Sequence, residues 1–104
     1  MKIGRNDVAV QMRIAGLELV ELHKYTGEMS DALGLDEKIF RYKGSRPITL
    51  YRWDLDCILA VVNSVLNDKA SYPDPEGLEY AALLSLKRKL DAEYSAVYGS
   101  QRHL

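Results

Sequence analysis

From Leu50 to Leu66 the chain is built almost entirely of Leu, Ile, Val, Ala, Cys and aromatic residues. Its polar positions Arg52, Asp56 and Asn63, with Asn67 just after it, share one narrow stripe of a helical wheel. A helix apolar over most of its circumference has to be covered on several sides, so this stretch dictates how the remaining elements are arranged. Thr49 supplies an N-cap, Ile48 and Trp53 have the spacing of a hydrophobic staple, and Arg52 with Asp56 is an i,i+4 ion pair. The pattern predicts a helix near 50–67.

Two further helices follow from the same reasoning. Val8, Met12, Ala15, Leu19 and Leu22 recur at helical spacing, with Asn6 or Asp7 as cap and Gly27 as stop, which predicts a helix near 7–26. Asp74 followed by Pro75 is a strong start signal, and Leu83, Leu86, Leu90, Tyr94 and Val97 form a seam ending before Gly99, which predicts a helix near 75–98. The short connection makes the second and third helices antiparallel neighbours. Residues 100–104 are expected to be a frayed tail.

Residues 28–49 are the least regular. Ser30 to Leu33 has the makings of a short helical turn closed at Gly34. Lys38 to Lys43 and Pro47 to Tyr51 are two β-prone runs around Gly44, which suits a short hairpin, with an extended linker as the rival. The expected fold is therefore mainly α: a single helical domain over 1–104, a three-helix bundle-like arrangement with an irregular or short β-hairpin insertion between helices 1 and 2. With 47 % apolar residues in 104, the chain has enough core-forming material to fold and too much to be disordered.

No catalytic or metal constellation emerges from the sequence, and no cofactor or small-molecule substrate is implied. Cys57 is the single cysteine, which excludes an internal disulfide and a cysteine-built zinc site. His23 has no second histidine at i+3 or i+4 and reads as a solvated residue of the first helix, while His103 lies in the tail. Asp54 and Asp56 are two residues apart, so on a helix they point about 200° from one another and cannot act on one bond. The seven glycines are scattered, and no phosphate-cradling loop is formed. The longest apolar run, Cys57 to Val62, is far below the ~18–20 residues of a membrane span, which gives the expectation of a soluble, cytoplasmic protein.

The charge distribution is the most informative feature for function. Residues 1–37 carry a net −3, residues 38–52 carry +5 with no acid, and residues 53–104 carry −3. The basic segment 38–52 (Lys38, Arg41, Lys43, Arg46 and Arg52) is interleaved with Phe40, Tyr42 and Tyr51, and Trp53 follows it. Such a segment either meets a partner or the acidic arms, or contacts nucleic-acid phosphates with aromatics available for stacking. The net charge of −1 favours the first. The functional expectation is a small non-enzymatic protein–protein interaction or adaptor protein, a homodimer associating through apolar helix faces, with nucleic-acid binding as the alternative. Arg41, Tyr42, Lys43, Arg46, Tyr51 and Arg52 are the candidate partner-binding residues, because exposed Tyr and Arg dominate interface hot spots.

Overall fold

A computed structural model describes residues 9–29, 34–68, 70, 74 and 76–98. The chain runs β1 (Val10–Met12), α1 (Gly16–His23), a 3-10 turn (Thr26–Glu28), α2 (Leu35–Arg41), β2 (Ile48–Leu50), α3 (Arg52–Leu66) and α4 (Leu78–Tyr98). The mainly helical class is as expected, and a small two-stranded antiparallel pairing accompanies the helices.

The strands come from different places than the hairpin expectation put them. β2 lies in the anticipated second run, but its partner is β1, with Val10 opposite Leu50, Gln11 opposite Thr49 and Met12 opposite Ile48. The first part of the predicted 7–26 helix is thus extended. Val10, Met12 and Ile14 are buried while Gln11 and Arg13 are exposed, the two-residue alternation of a half-buried strand. Gly16, at φ +62°, turns the chain into α1, which ends at His23, before Gly27. The stretch of the predicted helix before residue 9 and the proposed turn at Ser30–Leu33 lie outside the described residues.

The run from Lys38, expected as a strand, belongs to α2. Gly34 stands at the N-terminus of this helix in the left-handed conformation. Asp36 and Glu37 occupy the first turn, Lys38 and Arg41 the last, and Leu35 and Ile39 bury one face at i,i+4. That charge order follows the helix dipole, and it outweighs the β-propensity of Ile39 and Phe40.

α3 starts two residues later than expected. Thr49 is spent in β2, and the cap is Tyr51, whose N–H donates to Asp54 Oδ2 at 3.0 Å. Burial follows one face: Leu55, Ile58, Leu59, Val62 and Val65 are inside, Trp53, Cys57, Val61 and Leu66 are half-covered, and Arg52, Asp56, Ala60 and Ser64 are exposed. α3 is therefore wrapped on one side and flank, with a largely polar stripe outward. α4 begins at Leu78; Asp74 instead organises the preceding turn, its Oδ1 accepting from the Glu76 N–H and its carbonyl from Gly77. Pro75 and the 100–104 tail lie outside the described residues.

α4 packs against both α3 and α1, with a contact to β1. Its seam of Leu83, Leu86, Leu90 and Tyr94 is buried, whereas Val97 is exposed. Glu18 fastens α1 to α4 by accepting from Ser85 Oγ at 3.0 Å and Lys89 Nζ at 2.9 Å. His23, expected in solvent, is half-buried and donates from Nε2 to the Ile39 carbonyl at 2.8 Å, tying α1 to α2.

Candidate functional site

The site grows out of the loop that joins α2 to β2. Tyr42 follows the last residue of α2 and turns its ring into the core, where it is 9 % exposed. Its hydroxyl donates to the Arg46 carbonyl and accepts from the Ile14 N–H at 3.3 Å. Arg13 Nε donates to the Gly44 carbonyl at 2.6 Å. Gly44 is buried at φ +83°, a conformation that disfavours a side chain. An added Cβ there would stand 2.9 Å from the Ile14 carbonyl oxygen. The loop is thus pinned to the end of β1 from three directions.

That pinning shapes a groove of about 460 Å³ between α2 and β2. Lys38, Arg41 and Tyr42 form one wall, Pro47, Ile48 and Thr49 the other, and Arg46 enters from the loop. Three cationic residues therefore line one concavity. Arg41 is paired with Glu37 at 3.0 Å, with both side chains about three-quarters exposed (77 % and 70 %), so the pair is weak and easily rearranged. Lys38 stands 3.5 Å from the buried Asp54 and 5.6 Å from the centroid of the Tyr51 ring. Arg46 is exposed and has no polar partner for its side chain among the described residues.

The six residues picked from sequence separate accordingly. Arg41 and Arg46 line the groove, and Lys43 is exposed outside it. Tyr42 is not an exposed contact residue; its ring is core and its hydroxyl is a latch, because a buried phenol has to find partners. Tyr51 is half-buried and stacked on Trp53, centroids 5.0 Å apart and planes at 8°. Arg52 is exposed on α3 and lies 6.0 Å over the Tyr98 ring. Lys38 was missed as a contact residue, although its i,i+3 spacing to Arg41 on a helix would have placed the two together. Part of the basic segment is neutralised within the chain, since Glu37 belongs to the first acidic arm and Asp54 to the second.

Other concavities lie elsewhere among the described residues. One, of about 590 Å³, lies between α1 and α4 and includes Leu17, Leu78, Ala81 and Ala82. Another, smaller, has Asp36, Glu37 and Phe40 on its rim. Among the described residues there is no group of three His, Cys, Asp or Glu side chains placed to hold a metal ion, and no helix is long and apolar enough to cross a membrane. No protein-family model matches the sequence, and no curated protein or solved structure shows significant similarity to it.

Proposed function

We propose that the chain is a small non-catalytic protein-interaction module that docks an acidic partner in the groove between α2 and β2. The observation that carries this reading is that Lys38, Arg41 and Arg46 line one concavity whose loop is held rigid by the Tyr42 and Arg13 tethers. A pre-formed site binds without the cost of ordering its own loop. Exposed arginine is also a favoured anchor, since its planar guanidinium meets a carboxylate with two parallel hydrogen bonds. The test is fluorescence anisotropy with a labelled Glu-rich peptide against the wild-type chain and an Arg41→Glu, Arg46→Glu double variant. At least tenfold weaker binding by the variant is expected, and equal binding would remove the groove as the docking site.

Nucleic acid is less well supported as the partner. The stacking reading needs free aromatic faces; Tyr42 is buried and Tyr51 and Trp53 stack on each other, so among the aromatics in or next to the basic segment Phe40, 66 % exposed, is the one offered to solvent. Competition by single-stranded DNA in the same assay tests it directly. A second reading, self-association through apolar helix faces, is favoured by the exposed Leu17, Val20 and Leu78 on α1 and α4. Light scattering after size exclusion checks it, and a monomeric mass at micromolar concentration would end it.

A further inference from the structure

We infer that the groove receives its partner as an extended acidic segment lying alongside β2, with carboxylates on alternate residues directed at α2. The inference rests on the groove being the docking site. β2 pairs with β1 on one side, and among the described residues no strand lies on its other side. The groove opens next to that strand, with Ile48 and Thr49 in its wall. An unpaired strand beside a helix is the arrangement in which an incoming segment gains main-chain hydrogen bonds from the strand and side-chain specificity from the helix.

The chemistry of the two walls is one-sided. Lys38 and Arg41 stand on the helix, about 4.5 Å apart along its axis for three residues of rise, and Arg46 comes from the loop. The strand wall offers Pro47, Ile48 and Thr49 and no charge. An extended segment sends alternate side chains to the same side at roughly 6.6–6.8 Å, a spacing that long, flexible Lys and Arg side chains can meet. Its main chain then bonds in the plane of the β1–β2 sheet, and the alternate side chains on the face of the segment nearer α2 reach for the three cations. Pro47 has no N–H, so main-chain pairing begins after it. A bound helix fits this surface poorly: it would bring a cylinder about 10–12 Å wide and require an apolar stripe, whereas the apolar lining here reduces to Pro47, Ile48 and the Tyr42 ring.

The experiment uses the full chain and fluorescein-labelled peptides of three kinds with identical Gly-Ser tails. One carries Glu-Val-Glu-Val-Glu, the second carries the same five residues as Val-Glu-Glu-Glu-Val, and the third is the alternating peptide with its main chain N-methylated at the Val or at the Glu positions in turn. The alternating peptide is expected to bind at least tenfold tighter than the permuted one. One of the two N-methylated forms is expected to lose at least tenfold, and amide exchange within Ile48–Leu50 to slow by at least tenfold on binding. If both acidic peptides bind equally and neither N-methylation matters, the extended mode is overturned while the docking reading stands. If none of the acidic peptides binds, both fall together.

Discussion

The glycine between α2 and β2 offers the sharpest test of how the groove is held. Gly44→Ala introduces two separate penalties. The first is conformational: at φ +83° an L residue is disfavoured by about 1–2 kcal/mol. The second is steric, because the new Cβ would lie 2.9 Å from the Ile14 carbonyl oxygen and 3.2 Å from Leu19 Cδ2. The leucine methyl can move, but the carbonyl belongs to the backbone leaving β1. Forcing a core apart in this way costs about 1–3 kcal/mol. Against these stands a gain of about 0.4–1 kcal/mol from the stiffer unfolded chain. The net expectation is a loss of about 2–4 kcal/mol, a large part of the stability of a domain this size.

Two other glycines separate the two penalties. Gly34 has φ +79° with nothing within 4 Å of a built Cβ, so its alanine variant bears the backbone penalty alone and is expected to lose about 0.5–1.5 kcal/mol. Gly27 has neither a positive φ nor a neighbour within 4 Å, so Gly27→Ala is expected to be neutral or stabilising by up to about 1 kcal/mol. Urea unfolding followed by circular dichroism reads all three. With a slope of about 1–3 kcal/mol/M, the Gly44→Ala midpoint is expected to fall by roughly 0.7–4 M. A Gly44→Ala midpoint at or above that of Gly34→Ala would refute the steric argument and with it the close approach of the groove loop to β1.

Other substitutions probe different contacts. Tyr42→Phe strips the Ile14 N–H and the Arg46 carbonyl of their phenol partner and is expected to cost about 1–3 kcal/mol, seen as a lower thermal midpoint with the secondary structure unchanged. Leu90→Ala empties a fully buried position in the α4 seam and is expected to cost about 2–5 kcal/mol in the same urea assay. The hydrogen bond from Lys24 to the buried Glu21 carboxylate, 2.7 Å long, holds the lysine above its ordinary value of 10.5 despite some burial. A raised folded-state value means a contribution fully present below about pH 10.5 and lost as pH rises through the folded value. The gap in urea midpoint between the wild type and Lys24→Met is therefore expected to shrink between pH 8 and pH 11, and a constant gap would show that the ion pair contributes nothing.

Local signals carried the helices, and pairing between distant segments hid the strands. The α4 seam was readable because leucines at three- and four-residue steps admit no other regular reading, and the apolar stretch of α3 was unmistakable for the same reason. β1 was missed because Val10, Met12 and Ile14 satisfy a two-residue period while Met12, Ala15 and Leu19 satisfy a helical one. The tie was broken by a partner strand 36 to 40 positions away, which no local pattern announces. α2 was misread for the opposite reason. Its charges are arranged for a helix, with Asp36 and Glu37 first and Arg41 last, while Ile39 and Phe40 favour a strand, so the local signals conflict. Of the candidate contacts, the arginines could be found from charge alone, whereas the inward turn of Tyr42 depends on the fold around it.

The two misreadings are connected, and together they make the site. Had residues 38–51 folded into their own hairpin, Lys38 would have pointed to the face opposite Arg41 and Lys43. Because 35–41 coils, Lys38 and Arg41 fall on adjacent turns of one helical face, and because β2 pairs with β1, no strand among the described residues occupies its other edge. The loop between them is then short enough to be held by one phenol, one arginine and one glycine. The same coiling explains why the positive charge is only partly cancelled. Glu37 reaches Arg41 along the helix and Asp54 reaches Lys38 from α3, but Arg46 sits beyond both on the loop. Net positive charge is concentrated at Arg46, so the part of a bound segment nearest Arg46 is where an added carboxylate should matter most.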